Sequence, residues 1–144
     1  MCRPLSTQPT LSEYRLIQDI QAVLTPDILH PVYLRQWTSH KPLYWGHCYA
    51  ASEALFCMLG GKKAGYTSHC IRIDGSTHWF LRRGDAVLDP TYEQFYLNPN
   101  ARVIICCTRI TTAFLTRNPS KRALEIIRRV KKTRATLNRY RTVK

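Results

Sequence analysis

Acidic residues are scarce in this chain. Nine Asp and Glu stand against 22 Lys and Arg in 144 residues, a formal charge of +13. No run approaches the roughly 18 consecutive apolar residues that a membrane span needs, so no membrane partner is expected. The opening Met1-Cys2-Arg3-Pro4-Leu5-Ser6 puts polar residues and prolines where a secretory signal carries its apolar stretch. Secretion is therefore unsupported, and the expected setting is cytoplasmic, where thiols stay reduced and the six cysteines form no disulfide framework. The chain also lacks a CxxC pair, and lacks Cys and His pairs at finger spacing. No metal site and no cofactor are predicted. Internal repeats and low-complexity segments are absent too.

What is present suits one domain: 44% apolar residues, with three Trp, eight Tyr and four Phe, too hydrophobic for a disordered polyelectrolyte and enough for one core. The charge is uneven. Residues 117–144 hold eleven Lys and Arg and one acid, Glu125, a net +10, which leaves eleven basic and eight acidic residues, +3, in residues 1–116. The basicity that a whole-chain total would assign to nucleic-acid binding is thus a C-terminal property.

Residues 1–10 read as a loose arm. Thr10-Leu11-Ser12-Glu13 is a capping-box pattern opening a helix whose Leu11, Tyr14, Ile17, Ile20 and Leu24 fall near helical spacing up to Thr25-Pro26. Residues 27–40, punctuated by prolines, predict a short helix or irregular connection in which Val32, Leu34 and Trp37 are available to pack. Residues 49–59 predict a helix ending at Gly60-Gly61, with Cys48 at its first turn. Three strands follow, over 66–73, 76–82 and 86–89, joined by the hairpin signal Asp74-Gly75 and by Arg83-Gly84-Asp85. Residues 102–110, β-branched at Val103, Ile104 and Ile105, read as a further strand. Asn118-Pro119-Ser120 starts a long basic helix with Ala123, Leu124, Ile127, Val130 and Leu137 as its docking stripe. The expected class is α+β: a Cys-bearing helix on a small antiparallel sheet, plus the basic C-terminal helix docked on the same domain.

Three residues stand in an order with chemical meaning: Cys48 at a helix start, His78 within the second strand and Asp89 at the end of the third. The thiolate is the nucleophile, and a helix N-terminus and an imidazole both favour it. A strand-borne His can take the thiol proton and return it to a leaving group, while a carboxylate on the next strand orients the ring. Pairing about residues 83–85 puts Asp89 opposite a residue between His78 and Leu81, according to register. Cys57 reads as a packing residue like most of the other cysteines. His69, on the strand paired with that of His78, is the rival base.

The motifs Trp45-Gly46-His47-Cys48-Tyr49-Ala50-Ala51, Thr77-His78-Trp79-Phe80-Leu81 and Val87-Leu88-Asp89-Pro90-Thr91 together resemble the transglutaminase-like core of the papain-like cysteine enzymes. The resemblance covers residues 44–95. It implies a papain-like catalytic domain over residues 1–116, with Cys48 as nucleophile, His78 as general acid and base and Asp89 as orienting carboxylate. It also implies acyl transfer through a Cys48 thioester on an amide or isopeptide bond of a protein or peptide, whether as peptidase, deamidase or transglutaminase-like enzyme. The Cys48 N–H is one oxyanion donor. Lys41 and Pro42 occupy the neighbourhood where papain-type enzymes carry a Gln, which leaves Trp45, Tyr44 and His47 as oxyanion or cleft candidates, with Tyr92 and Glu93 lining the cleft. The rival reading is a nucleic-acid- or partner-binding protein on a non-catalytic papain-like scaffold. In it Arg128, Arg129, Lys131 and Lys132 on the basic helix contact a polyanion through its phosphates; a merely solvated face is the plainer alternative.

Overall fold

The computed structural model describes residues 8–142; most of the expected N-terminal arm, Cys2 included, lies outside the described residues. The first helix, α1 (Leu11–Gln21), opens with the predicted capping box. Thr10 Oγ1 accepts from the Glu13 N–H and Glu13 Oε1 accepts from the Thr10 N–H. Its inward face differs from the expected stripe: Leu16, Ile17 and Ile20 are buried, but so is Glu13, while Leu11 and Tyr14 are exposed. A carboxylate can occupy that position because its oxygens are satisfied there. Tyr66 Oη donates to it at 2.6 Å, and Arg83 reaches it through Nε at 2.8 Å and Nη2 at 3.0 Å.

Helix α2 (Pro31–Gln36) follows a 3₁₀ turn at Pro26–Ile28. Val32, Leu34 and Trp37 are largely exposed rather than packed; Ile28 and Leu29 enter the core instead. Helix α3 (Cys48–Met58) buries Ala50, Ala51, Ala54 and Leu55. Small side chains on this face bring its backbone close to the sheet, where Ser52 Oγ donates to the Trp79 carbonyl at 3.0 Å.

Strands β1 (Tyr66–Ile73), β2 (Ser76–Arg83) and β3 (Ala86–Leu88) form an antiparallel meander in the order β1-β2-β3. Asp74 and Gly75, at φ 51° and 81°, make the two-residue turn with positive φ at both central positions that the twist of a hairpin favours. The register runs from Ile73 opposite Ser76 to Tyr66 opposite Arg83, and then Leu81 opposite Leu88. Alternation along β2 directs Leu81 into the core shared with α1 and α3, and Phe80 into a second, smaller core with Ile73, Ala101 and Ile105. The free side of β1 is partly covered by the irregular chain after residue 107: the Thr112 N–H donates to the Ser68 carbonyl at 2.8 Å, and Ser68 Oγ donates to the Thr112 carbonyl at 2.6 Å.

The expected strand over 102–110 is not formed; most of it lies in helix α4 (Pro99–Cys107). Asn98 caps this helix by accepting from the Ala101 N–H, and Pro99 occupies its first turn, so the local start signal overrides the β-branched run. Ala101 and Ile105, four apart, face inward, while Val103 and Ile104 remain exposed. Arg82, fully buried, donates to the carbonyls of Ile105, Cys106 and Thr108 at 2.6 to 2.9 Å, closing the C-terminal end of α4 where carbonyls lack helical partners.

Helix α5 (Lys121–Thr142) packs on α3 and α1. Its docking is confined to its first half, through Ala123, Ile126 and Val130; beyond Val130 every described residue is exposed, and so are Leu124 and Leu137 of the expected stripe. Two surface charge pairs tie α5 to the rest of the domain, Arg129 to Asp27 at 2.6 Å within the docked half and Arg134 to Asp19 at 2.8 Å just beyond it, while Arg129 also pairs with Glu125 of its own helix at 2.9 Å.

Candidate active site

Cys48 is the first residue of α3, next to the helix's unpaired N–H groups, and is half-buried. Gly46, two residues earlier, has φ 82°, and a Cβ there would lie 2.9 Å from Leu29 Cδ2. Glycine is required for the chain to turn into the helix at this closeness.

His78 and Asp89 are brought together by the meander. The ladder ends at Leu81 opposite Leu88, and one residue further Asp89 turns its side chain onto β2, where His78 Nε2 and Asp89 Oδ2 are 2.6 Å apart with both side chains buried. The other carboxylate oxygen accepts from the Thr91 N–H at 3.0 Å and from Thr91 Oγ1 at 3.3 Å. A carboxylate filled in this way is fixed in place, and it fixes the ring.

With Nε2 committed to Asp89, Nδ1 is the nitrogen of His78 left for the thiol. Gln94 Nε2 lies 3.3 Å from it and also donates to Thr91 Oγ1 at 2.9 Å. Burial by itself would depress the His78 pKa. The Asp89 charge and hydrogen bond overcome that burial, and the neighbouring Cys48 adds to them, so the imidazolium persists up to about 10. The Cys48 Sγ also faces the Thr77 carbonyl, 3.9 Å away. The result is a thiol at a helix start, against an imidazole that is protonated at neutral pH and held from behind by a buried carboxylate.

The remaining candidates fall in different places. Tyr44, Trp45 and His47 line a cavity of about 220 Å³ beside α3; Trp45 stacks edge-on against Tyr33, and Lys41 sits over its ring. His47 is buried; burial and then the charge of Arg122 push its pKa down to about 4, so it is neutral at pH 7. Tyr92 and Glu93 line a larger cavity of about 630 Å³ that reaches Asp89. A cavity of about 350 Å³ beside Phe114 holds none of the three residues Cys48, His78 and Asp89.

His69 is occupied at both ring nitrogens, by Thr67 Oγ1 at 2.9 Å and the Ile110 carbonyl at 2.7 Å, and it stacks on Phe80, so it serves packing and not proton transfer. Cys57, expected to pack, is exposed, as are Cys106 and Cys107; each lies on the outer face of a helix whose inner face is taken by Ala and aliphatic residues. Among the described residues no group of three or more His, Cys, Asp and Glu is placed to hold a metal ion.

On α5, Arg128 and Arg129 are engaged with Glu125, and Arg129 with Asp27 as well, whereas Lys131 and Lys132 are solvated. Gln94 and Arg122 carry no motif and were not found from sequence. Gln94 follows Asp89-Pro90-Thr91 within one turn, the signal that could have drawn attention to it. Arg122 comes from a helix 74 residues after Cys48, and no local signal marks it.

No helix among the described residues is long and apolar enough to cross a membrane. Comparison with profiles of known protein families, with curated proteins and with solved structures finds no match for the chain.

Proposed function

We propose that the chain is a cysteine-dependent acyl-transfer enzyme with a papain-like, transglutaminase-like core over residues 1–116, acting in the cytoplasm on an amide or isopeptide bond of a protein or peptide. The observation that carries this reading is the buried 2.6 Å His78–Asp89 pair, with the Cys48 thiol at the start of α3 against the same imidazole. In the reaction, the Cys48 thiolate attacks the carbonyl carbon while the Cys48 N–H, at the helix start, donates to the developing oxyanion. The C–N bond breaks as His78 gives its Nδ1 proton to the departing amine, leaving a thioester. Water or a second amine, deprotonated by His78, then attacks the thioester, releasing acid or new amide and restoring the thiol. Hydrolysis and transfer share every step up to the last.

The test is alkylation by iodoacetamide at neutral pH with mass mapping, on the parent and on His78→Ala. Cys48 is expected to react faster than the exposed Cys57, and His78→Ala to abolish the advantage. Equal rates at the two cysteines, or indifference to His78→Ala, would remove the basis for an enzyme.

A second reading, polyanion binding, is favoured by one observation: the half of α5 beyond Val130 is exposed and carries Lys131, Lys132, Arg139 and Arg141. Arg128 and Arg129, paired within the chain, drop out of that role. Changing these four residues to Gln should weaken DNA and RNA retention and flatten its salt dependence; unchanged binding would exclude the helix as the site.

A further inference from the structure

Twelve residues of α5, 131–142, lie beyond its last buried position, Val130, and all are exposed. At the rise of an α-helix this is about 18 Å presented to solvent. The stretch holds five cations, Lys131, Lys132, Arg134, Arg139 and Arg141, and no carboxylate. Its charge complement is a polyanion.

The cations are ordered about the helix. With a turn of about 100° per residue, Lys132 and Arg139 fall on one flank and Arg134 and Arg141 on the other, roughly 160° apart. Between the flanks runs a strip of Lys131, Ala135, Asn138 and Thr142, at the three- and four-residue steps of one helix face. The strip is set roughly 120° round the axis from the docked line of Ala123, Ile126 and Val130, so a partner reaches it without meeting the domain. The side-chain hydrogen bonds of this stretch belong to Thr133, Arg134, Thr136 and Thr142. Among the described residues Lys131, Lys132, Asn138, Arg139 and Arg141 make none.

A polar strip with cations on both flanks suits the major groove of a DNA duplex. The groove is about 12 Å wide and a helix with its side chains about 10 to 12 Å across, so flanking cations meet the phosphates of both walls while the strip faces the base edges. The deep, narrow major groove of an RNA duplex does not admit side chains in this way. Nor does the stretch offer an apolar face to a lipid surface, since Leu137 and Tyr140 are its only large apolar residues.

We propose that the exposed half of α5 is a recognition helix for the major groove of duplex DNA, in which Lys131 and Asn138 read base edges and Lys132, Arg139 and Arg141 hold phosphates on the two walls. The proposal rests on the polyanion-binding reading of α5 and not on Cys48. An Asn side chain matches the donor and acceptor of adenine, a Lys the two acceptors of guanine, and the methyl groups of Ala135 and Thr142 suit thymine. Lys131 and Asn138 stand about 10 Å apart along the axis, which places the two bases about three steps apart. Arg134, paired with Asp19 at 2.8 Å, ties its flank to α1.

The full chain is used to select from a pool of random DNA duplexes. The selected duplex, a scrambled duplex, a single strand and an RNA duplex of equal length are then compared by fluorescence anisotropy across a salt series. The selected duplex is expected to bind at least about thirtyfold more tightly than the scrambled one, the discrimination of two base contacts. Asn138→Ala should lower that preference at least about fivefold with the salt slope unchanged, because it removes no charge. Arg139→Gln should weaken both duplexes alike and reduce the salt slope by about one. Both positions are exposed, so the fold carries either substitution.

Salt-dependent binding without sequence preference, or a preference untouched by Asn138→Ala, overturns base reading and leaves the polyanion reading standing. Tighter binding to the single strand, to the RNA duplex or to phosphatidylserine vesicles overturns the groove. Failure to retain any of the nucleic acids at low salt brings down both readings.

Discussion

Replacing Asp89 with Asn keeps the shape of the side chain and removes its charge, which makes it the cleanest perturbation of the buried pair. In the parent His78 is carried from its ordinary 6.5 to about 10 against the opposing effect of burial. That net rise corresponds to about 5 kcal/mol in favour of the protonated ring after burial has opposed it, with Asp89 the main favourable cause and Cys48 the lesser one. In Asp89→Asn only Cys48 opposes burial, so His78 is expected to titrate near or below 6.5. One amide oxygen must also choose between the His78 ring and the Thr91 N–H, which the carboxylate serves with separate oxygens.

The folded parent holds the His78 proton more tightly than the unfolded chain does. The pair's contribution is therefore complete below pH 6.5 and is lost as pH rises through about 10. The variant should be less stable than the parent by about 3 to 5 kcal/mol at pH 6, with the gap closing above pH 10. Imidazole NMR titration of His78 and urea unfolding at pH 6, 8 and 10 read both quantities. An Asp89→Asn protein in which His78 stays protonated above pH 9, or a stability gap equal at pH 6 and above pH 10, would refute the reasoning.

Arg82→Met removes a buried cation that satisfies four carbonyls, those of Asp85, Ile105, Cys106 and Thr108. It should cost about 3 kcal/mol or more by urea unfolding, because the carbonyls are left without donors; a loss below about 1 kcal/mol would show them already solvated. Gly46→Ala, at φ 82° and with its new Cβ 2.9 Å from Leu29 Cδ2, should destabilise by about 1 to 2 kcal/mol and slow Cys48 alkylation, since the turn that delivers the helix start must shift. Unaltered stability and alkylation would mean that the turn relaxes freely.

The elements around the candidate site were legible in the chain because their signals are local. Asp74-Gly75 dictates a tight hairpin, Gly84 sits in the next turn, and between them they set the spacing that lets Asp89 reach His78. The run of helix formers ending in Gly60-Gly61 placed Cys48 at a helix start. The strand expected over residues 102–110 gives way to helix α4 because the Asn98-Pro99 start, with its capping bond, is a stronger local determinant than the β-branched run Val103-Ile104-Ile105. The inward turn of Glu13 was also hidden, since it depends on Tyr66 and Arg83, more than 50 residues away in the chain. Arg82 and Arg122 were hidden for the same reason: what a buried guanidinium does is decided by partners that only the tertiary arrangement supplies, or, for Arg122, withholds.

The cross-links between Ser68 and Thr112 have a consequence for association between molecules. A three-stranded meander exposes an open edge, and β1, with Ile71 and Ile73 in it, is the kind of strand on which a second chain can add. Laying residues 110–112 over the middle of that edge, with both the carbonyl and the hydroxyl of Ser68 engaged, interrupts the row of free backbone groups. An incoming strand would first have to displace this stretch of the molecule's own chain. The same short segment accepts a hydrogen bond from His69 through the Ile110 carbonyl, so peeling it back also unseats a buried ring. Protection of the sheet from edge-to-edge growth is thereby tied to the integrity of the interior.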